Sequence, residues 1–556
     1  MNNTLIFEFS NHKLTSEEIL NSSFFKDILH EYLCSLESED IKLYNLINDT
    51  FIDNIDNKIH SLFIELLSGN YSNIEKQLLP LSEDKYEFLS MIDGIYDVWR
   101  SKQRYALINS NKFNIESSKF VSLNEEFQSI IVSTYRKIYE NVLGHEQIVY
   151  RQLPSGTNAS FIIENSSKLD LPHELGFLES TPRLKTLLIN PPFISSSKKN
   201  TREGIFSTHN LFVDKESYDS NNNIAIAIKI NHKVGYLFIS KEYLSFIVAL
   251  GNLFKIVDFS DVENKKPEFI LFFGINIDYN LCYYYKLEDG TYVGVCPEKA
   301  NIDYFGYLKK MILTLHNLHM IDERKLPIHG AGIRIQLTNK KSFNVVILGD
   351  SGAGKSETIE ALNMLRDPLI DKIYTIFDDM GTFEINDSQV YCSGTETGAF
   401  VRLDDLEKGY SLRSVDRSVF LNIESVNSRV VIPITTYKET KKLHHVDMFL
   451  LADNFTSSND GIIKFNDEKI AINEFIKGER VAKGTTSEIG KVSTFFANPF
   501  GPLQRKEECK ELINDIFDDL YKNKIFIGKL FTKLSIDPHN GPKEGAVALL
   551  NLLRSI

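Results

Sequence analysis

Cysteine is scarce in this chain of 556 residues, which holds only Cys34, Cys282, Cys296, Cys392 and Cys509. An odd count without a close C-x-x-C pair excludes a disulfide scaffold and points to reduced thiols in a reducing compartment. A basic excess is also missing. With 62 Lys and Arg against 75 Asp and Glu, the net charge is −13, which argues against wholesale binding of nucleic acid or of an anionic membrane. No uninterrupted apolar run reaches about 18 residues, so no membrane span is expected. The opening MNNTLIFEFSNHKLTSEE lacks a basic stretch followed by a long apolar one. No signal peptide is expected, and a cytoplasmic location is. Apolar material is plentiful: hydrophobic residues make up 42%, with 38 Phe and 24 Tyr. Intrinsic disorder and a collagen-like chain are thereby excluded, and the length suits two or three domains.

Up to residue 145 the one proline is Pro80, and SFFKDILHEYLCSL and KIHSLFIELL repeat apolar residues at helical spacing. Ser82-Glu83-Asp84 before KYEFLSMIDGIYDVWR has the composition of a helix start. Residues 1–145 are therefore expected to form an α-helical N-terminal domain with a packing, oligomerisation or protein-contact role. From about residue 147 prolines punctuate short apolar runs such as ASFIIEN, NIAIAIKI and PEFILFFGI, so 146–325 reads as a mixed α/β lobe. Residues 195–202, rich in Ser, Lys and Asn, read as a surface connection. Over 326–556 the strands GIRIQL, FNVVILG, YTIFDD, RVVIPIT and HVDMFLLAD alternate with helices near 355–366 and 504–522. The fold class is α/β.

The sharpest local pattern is Gly349, Asp350, Ser351, Gly352, Ala353, Gly354, Lys355, Ser356, which fits G-x-x-x-x-G-K-[ST] between an apolar strand and the helix KSETIEALNML. Glycines there permit a tight backbone whose N–H groups converge on phosphate oxygens at a helix N-terminus. Lys355 is expected to neutralise phosphates and the Ser356 hydroxyl to ligate a divalent cation, so a nucleotide or other polyphosphate is the expected ligand. Asp378 and Asp379, at the end of YTIF, are candidate metal ligands.

These residues resemble the superfamily of phosphoenolpyruvate carboxykinases and HPr kinase/phosphorylases. The segment Gly349–Glu357, with Ser356-Glu357 after the lysine, is closer in wording to the HPr kinases. Tyr304-Phe-Gly-Tyr-Leu-Lys309-Lys310 resembles the carboxykinase Y-x-G-x-x-K-K stretch, and Ile328-His329-Gly-Ala-Gly follows at the separation expected there. Asn427-Ser-Arg429-Val-Val-Ile-Pro433-Ile434 resembles N-x-R-V-x-x-P-I. Weaker echoes are Lys266-Pro-Glu-Phe-Ile-Leu, Phe449-Leu-Leu-Ala-Asp453, Ala482-Lys483-Gly-Thr and Phe500-Gly501, and the set runs in order over about 147–556. An arginine that helps hold the nucleotide in ATP-using members is replaced here by Ile489.

The resemblance implies a two-lobed catalytic region with a phosphate loop, in which 146–325 binds substrate and 326–556 binds nucleotide. It implies conversion of oxaloacetate to phosphoenolpyruvate and CO₂ with a nucleotide phosphoryl donor. It further implies Lys310, His329 and Asp379 as ligands of Mn²⁺, a second cation such as Mg²⁺ on the nucleotide, and Lys309 depressing the Lys310 pKa. Arg429 is expected on the migrating phosphoryl group, Tyr304 in the same pocket, and Arg151 on the substrate carboxylate, with Arg202 its competitor. ATP, GTP and pyrophosphate stay open as donor. The alternatives are a kinase of the same superfamily acting on another small-molecule or protein hydroxyl, and a nucleotide-binding regulatory module.

Overall fold

A computed structural model describes residues 3–9, 14–69, 71–110, 117–165, 168–403, 415–482 and 490–555. The chain divides into two compact units, one of residues 1–164 with 186–190, the other of residues 165–185 with 191–556. The second unit holds all of 326–556 and most of 146–325, residues 146–164 and 186–190 belong to the first, and no separation appears at residue 325.

In the first unit the helical spacing is realised as Ser23–Glu39 and Ile55–Ser68, which bury Phe25, Ile28, Leu29, Ile59, Leu62 and Phe63. The Asp84 carboxylate accepts hydrogen bonds from the N–H groups of Tyr86 and Glu87 and starts the helix Lys85–Ser101. The segment expected to be purely helical also contains strands. Thr4–Glu8 and Gln103–Asn109 pair in parallel, and Gln103–Asn109 pairs with Ala159–Glu164 in the same sense. Gln103–Asn109 is buried along nearly its whole length. Such a short apolar run carries no alternation that separates a doubly covered strand from a helix segment. Arg104, in this strand and 1% exposed, donates from Nη1 to the carbonyls of Trp99, Arg100 and Lys102 at 2.7–2.8 Å and from Nε to Gly156 at 2.7 Å. A cation thereby satisfies carbonyls at the end of Lys85–Ser101 that have no helical partner.

The second unit is mixed α/β. One sheet carries the hairpin Asn223–Ile230 and Lys233–Ser240, followed in parallel by Phe269–Ile275 and Tyr292–Pro297. Another sheet is eight-stranded among the described residues. At its centre Leu326–Leu337 runs antiparallel to both Ser342–Leu348 and Ile370–Asn386. Met448–Asp453 and Phe526–Phe531 continue the sheet in parallel. Alternate side chains serve opposite cores: Val346, Leu348 and Phe449 pack with Leu512, Ile513 and Phe517, while Val345, Ile347 and Leu450 pack with Ala361, Leu549 and Leu553. The helices Lys355–Leu365 and Lys506–Lys522 lie where the pattern predicts them. Asp378 and Asp379 do not end a strand, because Ile370–Asn386 continues through them. No helix among the described residues is long and apolar enough to cross a membrane.

Replacing Arg104 by Met is expected to destabilise the first unit by about 3 kcal/mol or more, since several buried carbonyls lose a charged donor together. Trp99, the single tryptophan and 5% exposed, reports this as a lower denaturant midpoint in its fluorescence. A midpoint unchanged from wild type would refute the pinning role.

Candidate functional site

The glycine-rich loop leaves the strand Ser342–Leu348 with the Gly349 N–H donating to the His329 carbonyl at 3.0 Å. Gly352 and Gly354 take φ of +78° and +87°, and a Cβ on Gly354 would stand 2.5 Å from the Thr532 hydroxyl. Only glycine fits both demands. Lys355 then opens the helix Lys355–Leu365. It is buried rather than exposed as a loop lysine would be, and its ammonium donates to the carbonyls of Gly349 and Asp350 at 2.7 and 3.2 Å. The Ser356 hydroxyl donates to Asp378 Oδ1 at 2.8 Å.

Antiparallel register sets Gly330 opposite Asp379 and Ala331 opposite Asp378. Asp379 has a φ of +96°, a left-handed conformation that costs energy for a residue with a Cβ and that clusters at functional sites. Its carboxylate gathers three nitrogens: Lys309 Nζ and Lys310 Nζ both lie 2.6 Å from Oδ2, and His329 Nε2 lies 2.9 Å from Oδ1. Burial pushes the Asp379 carboxyl up, yet Lys309, Lys310 and His329 outweigh it and hold the group well below the usual range. Lys310 goes the other way. Burial lowers it, and repulsion from Lys309 adds to that against the attraction of Asp379, so its amine form is favoured relative to an ordinary lysine. Lys309 is fully buried, and its ion pairs with Asp379 and with Glu396 Oε1 at 2.9 Å outweigh burial and raise it.

His329 supplies the test of a metal. Its Nδ1 lies 2.9 Å from the Ala497 carbonyl and so carries the proton that is donated there. Burial lowers its pKa against the pull of Asp379, so the ring gives up its Nε2 proton more readily than an ordinary imidazole does, as a metal ligand must. With the Lys310 amine, the set is two nitrogens and one oxygen, compatible with Mn²⁺. Among the described residues no three His, Cys, Asp or Glu side chains form a metal-holding group. Ser356 and Asp378 form a separate hydroxyl–carboxylate pair suited to a harder cation such as Mg²⁺. Burial raises the Asp378 carboxyl.

One cavity of about 520 Å³ is lined by the loop, by Lys310, Asp378 and Asp379, and by Tyr304, Arg202 and Arg429. Tyr304 precedes the helix Phe305–Asp322, which carries Lys309 and Lys310. Arg429 stands opposite Arg402 across the strands Arg429–Pro433 and Gly398–Arg402, and both line the cavity. The Arg429 Nε is buried with no hydrogen-bond partner among the described residues, and its guanidinium lies 5.5 Å from the Phe400 ring. Arg202 donates to the Gly204 carbonyl and stacks 5.1 Å from Phe206 and 5.3 Å from Phe500. The loop 195–202 is anchored rather than merely superficial, with Ser197 N–H on Asn422 Oδ1 at 2.6 Å and the Asn427 amide on the Asn200 carbonyl at 2.7 Å.

One expected role needs correction. Arg151 is an exposed residue of the first unit and does not line this cavity, whereas Arg202 does. A solvent-facing arginine in a loop and a cavity arginine have the same local sequence texture, so sequence does not separate them. Lys309 is not among the cavity-lining residues; it pairs with Asp379, and its repulsion lowers Lys310 as expected. Sequence reasoning missed Glu396 and Arg480. Glu396 sits in the featureless SGTETG, whereas Arg480 interrupts a short strand, a signal of the kind that singled out Arg429. Arg480 Nη2 lies 3.1 Å from Asp350 Oδ2. Lys483 and the Glu488-Ile489 position lie outside the described residues. No protein-family model matches the chain, and no curated protein matches it either.

Burial raises Glu396 to about 7 in spite of Lys309. An acid whose folded pKa lies above its unfolded value holds its proton more tightly when folded, so its contribution to stability is present below pH of about 4.5 and is lost as pH rises through about 7. Glu396→Gln is expected to remove that component. The difference in denaturation free energy between wild type and variant should shift in favour of the variant between pH 4.5 and 7. A pH-independent difference would refute it.

Proposed function

We propose that the chain is a phosphoenolpyruvate-carboxykinase-type lyase whose two-lobed catalytic region carries a phosphate loop at Gly349–Ser356. The observation that carries this reading is the single cavity in which a glycine-rich loop at a helix N-terminus faces the Asp379 cluster and two arginines. Oxaloacetate loses CO₂, and the resulting enolate oxygen takes the phosphoryl group of a nucleotide to give phosphoenolpyruvate. In this reading Lys310, His329 and Asp379 hold Mn²⁺, which supplies Lewis-acid stabilisation of the developing enolate charge. Arg202 grips the substrate carboxylate in place of Arg151, and Tyr304 closes that side of the pocket. Lys355 and the loop amides hold the donor phosphates, while Ser356 and Asp378 hold its cation. Arg429 faces the equatorial oxygens of the group in transfer. Lys309 keeps Asp379 charged and lowers the proton affinity of Lys310, while Glu396 serves as the second counter-ion of Lys309. A kinase acting on a hydroxyl is the second reading, favoured by Glu357, which follows Ser356 and also lines the cavity.

The test is bicarbonate-dependent conversion of phosphoenolpyruvate to oxaloacetate with Mn²⁺ and, in parallel, ADP, GDP or phosphate as acceptor. Turnover is expected with one of them and none with Lys355→Ala. Absence of turnover with every acceptor would overturn the lyase and leave the kinase.

Arg429→Gln is expected to lower kcat by about 10³–10⁵, as loss of a transition-state cation does. Arg202→Gln is expected instead to raise KM for oxaloacetate roughly 10–150-fold through loss of about 1.5–3 kcal/mol of charged hydrogen bonding. Equal effects of both variants on kcat and KM would remove the division of labour.

Water-proton relaxation should show Mn²⁺ binding weakened at least about 10-fold in His329→Ala, since even outer-shell partners of metal ligands are worth that much. Binding as tight as wild type would dismiss the proposed ligand set.

A further inference from the structure

A second cluster of reactive side chains lies in the first unit, on the outer face of the helix Ser23–Glu39. His30 and Cys34 stand one turn apart on it, with Cys34 Sγ 3.6 Å from His30 Nε2. Asp56, in the first turn of the helix Ile55–Ser68, reaches His30 Nδ1 at 2.7 Å. The carboxylate accepts from Nδ1–H and so fixes the tautomer, which leaves Nε2 to accept from the Cys34 thiol. Nucleophile, base and orienting acid are thus in sequence, the arrangement that activates a thiol. Cys34 is exposed, whereas Cys282, Cys296, Cys392 and Cys509 are buried. The His30 and Asp56 side chains are open to solvent as well, at 56% and 47% exposure.

The fold restricts what this thiol can do. Cys34 lies within a helix, where neighbouring backbone N–H groups are used by helical hydrogen bonds. No pair of amides converges beside it to steady an oxyanion, so acyl transfer has no support. Thiol–disulfide exchange needs no oxyanion hole. Charge narrows the reagent further. Within one turn of Cys34 on its helix the charged or titratable side chains are His30, Glu31, Tyr32 and Glu37, and Asp56 adds another carboxylate. Glu31 is paired with Lys102, so Glu37 and Asp56 supply the negative field that repels anionic reagents and attracts cationic ones.

We propose that Cys34, served by His30 and Asp56, is a thiol-modification site that forms mixed disulfides with small cationic disulfides. The Cys34 proton passes to His30 Nε2, and Sγ attacks one sulfur of the disulfide. A new Sγ–S bond forms as the S–S bond of the reagent breaks. The departing thiolate takes the proton back from His30 and leaves as a thiol, so Cys34 is oxidised and half of the reagent is reduced. The site stands apart from the activity proposed above and does not depend on it.

Treating the full chain with cystamine at pH 7 tests this, with intact mass and peptide mapping as readouts. The thiolate is the attacking species, so removing the base that accepts the thiol proton slows exchange. One adduct is expected, on Cys34, absent in Cys34→Ser and forming about 10-fold more slowly in His30→Gln. Asp56→Asn should lie between wild type and His30→Gln. The His30 and Asp56 variants change exposed side chains, and unaltered Trp99 fluorescence will confirm that they fold. Cystamine should also outpace the dianionic 3,3′-dithiodipropionate, each rate normalised to that with free cysteine, and the gap should narrow in high salt. Equal rates in wild type and His30→Gln, or an adduct on a buried cysteine instead, would overturn the relay. Preference for the dianion would overturn the choice of cationic reagents.

Discussion

Three charged or titratable groups, Lys309, Lys310 and His329, meet at the Asp379 carboxylate, and the candidate site depends on that meeting. A buried ammonium without a counter-ion is strongly unfavourable, and this cluster contains Lys309, which is fully buried, and Lys310, which is nearly so. One carboxylate cannot neutralise both. Glu396 takes part of the load on Lys309, and the low proton affinity of Lys310 takes the rest. The same carboxylate lies 2.9 Å from His329 Nε2. The left-handed backbone at Asp379 is tolerated because the strand pairing on either side of it holds the residue in place.

Cations also line the cavity: Arg429 and Arg402 are neighbours in register, and Arg202 is held by a carbonyl and two aromatic rings. They share it with Asp378, Asp379 and the N-terminus of the helix Lys355–Leu365. Asp350 ties these parts together, with its carboxylate on Arg480 and on the Ser351 N–H, and 3.4 Å from His329 Nδ1. Burial raises Asp350, but His329 and Arg480 outweigh it and keep it ionised. In this way the loop and the Asp379 cluster share one electrostatic framework.

The first unit rests on different physics. Its three parallel strands are buried by amphipathic helices, and Arg104 at the centre is satisfied by carbonyls alone. The exposed Cys34, His30 and Asp56 lie on the outer faces of two of those helices, where no core packing demands them.

Much of this was legible in the chain itself. Helical spacing, the Asp84 cap and the glycine pattern before Lys355 are local, because each depends on residues within one or two turns. They fixed the helices Ser23–Glu39, Lys85–Ser101 and Lys355–Leu365 and the conformation of the loop. Arg429 was legible as well, since a guanidinium inside an apolar strand demands an anion wherever the strand goes. Tertiary structure alone decided the rest. Thr4–Glu8 and Gln103–Asn109 became strands because they pair with each other, and Gln103–Asn109 with Ala159–Glu164, across about 50 to 100 positions, a condition outside any local window. Glu396 joined Lys309, and Arg202 rather than Arg151 reached the cavity, because contacts across 87 and more than 100 positions are set by strand register and loop anchoring. Electrostatic partnership acts over a few ångströms in space and leaves no fixed spacing in sequence. For that reason the residue types of the site could be read in advance, while their pairing waited on the fold.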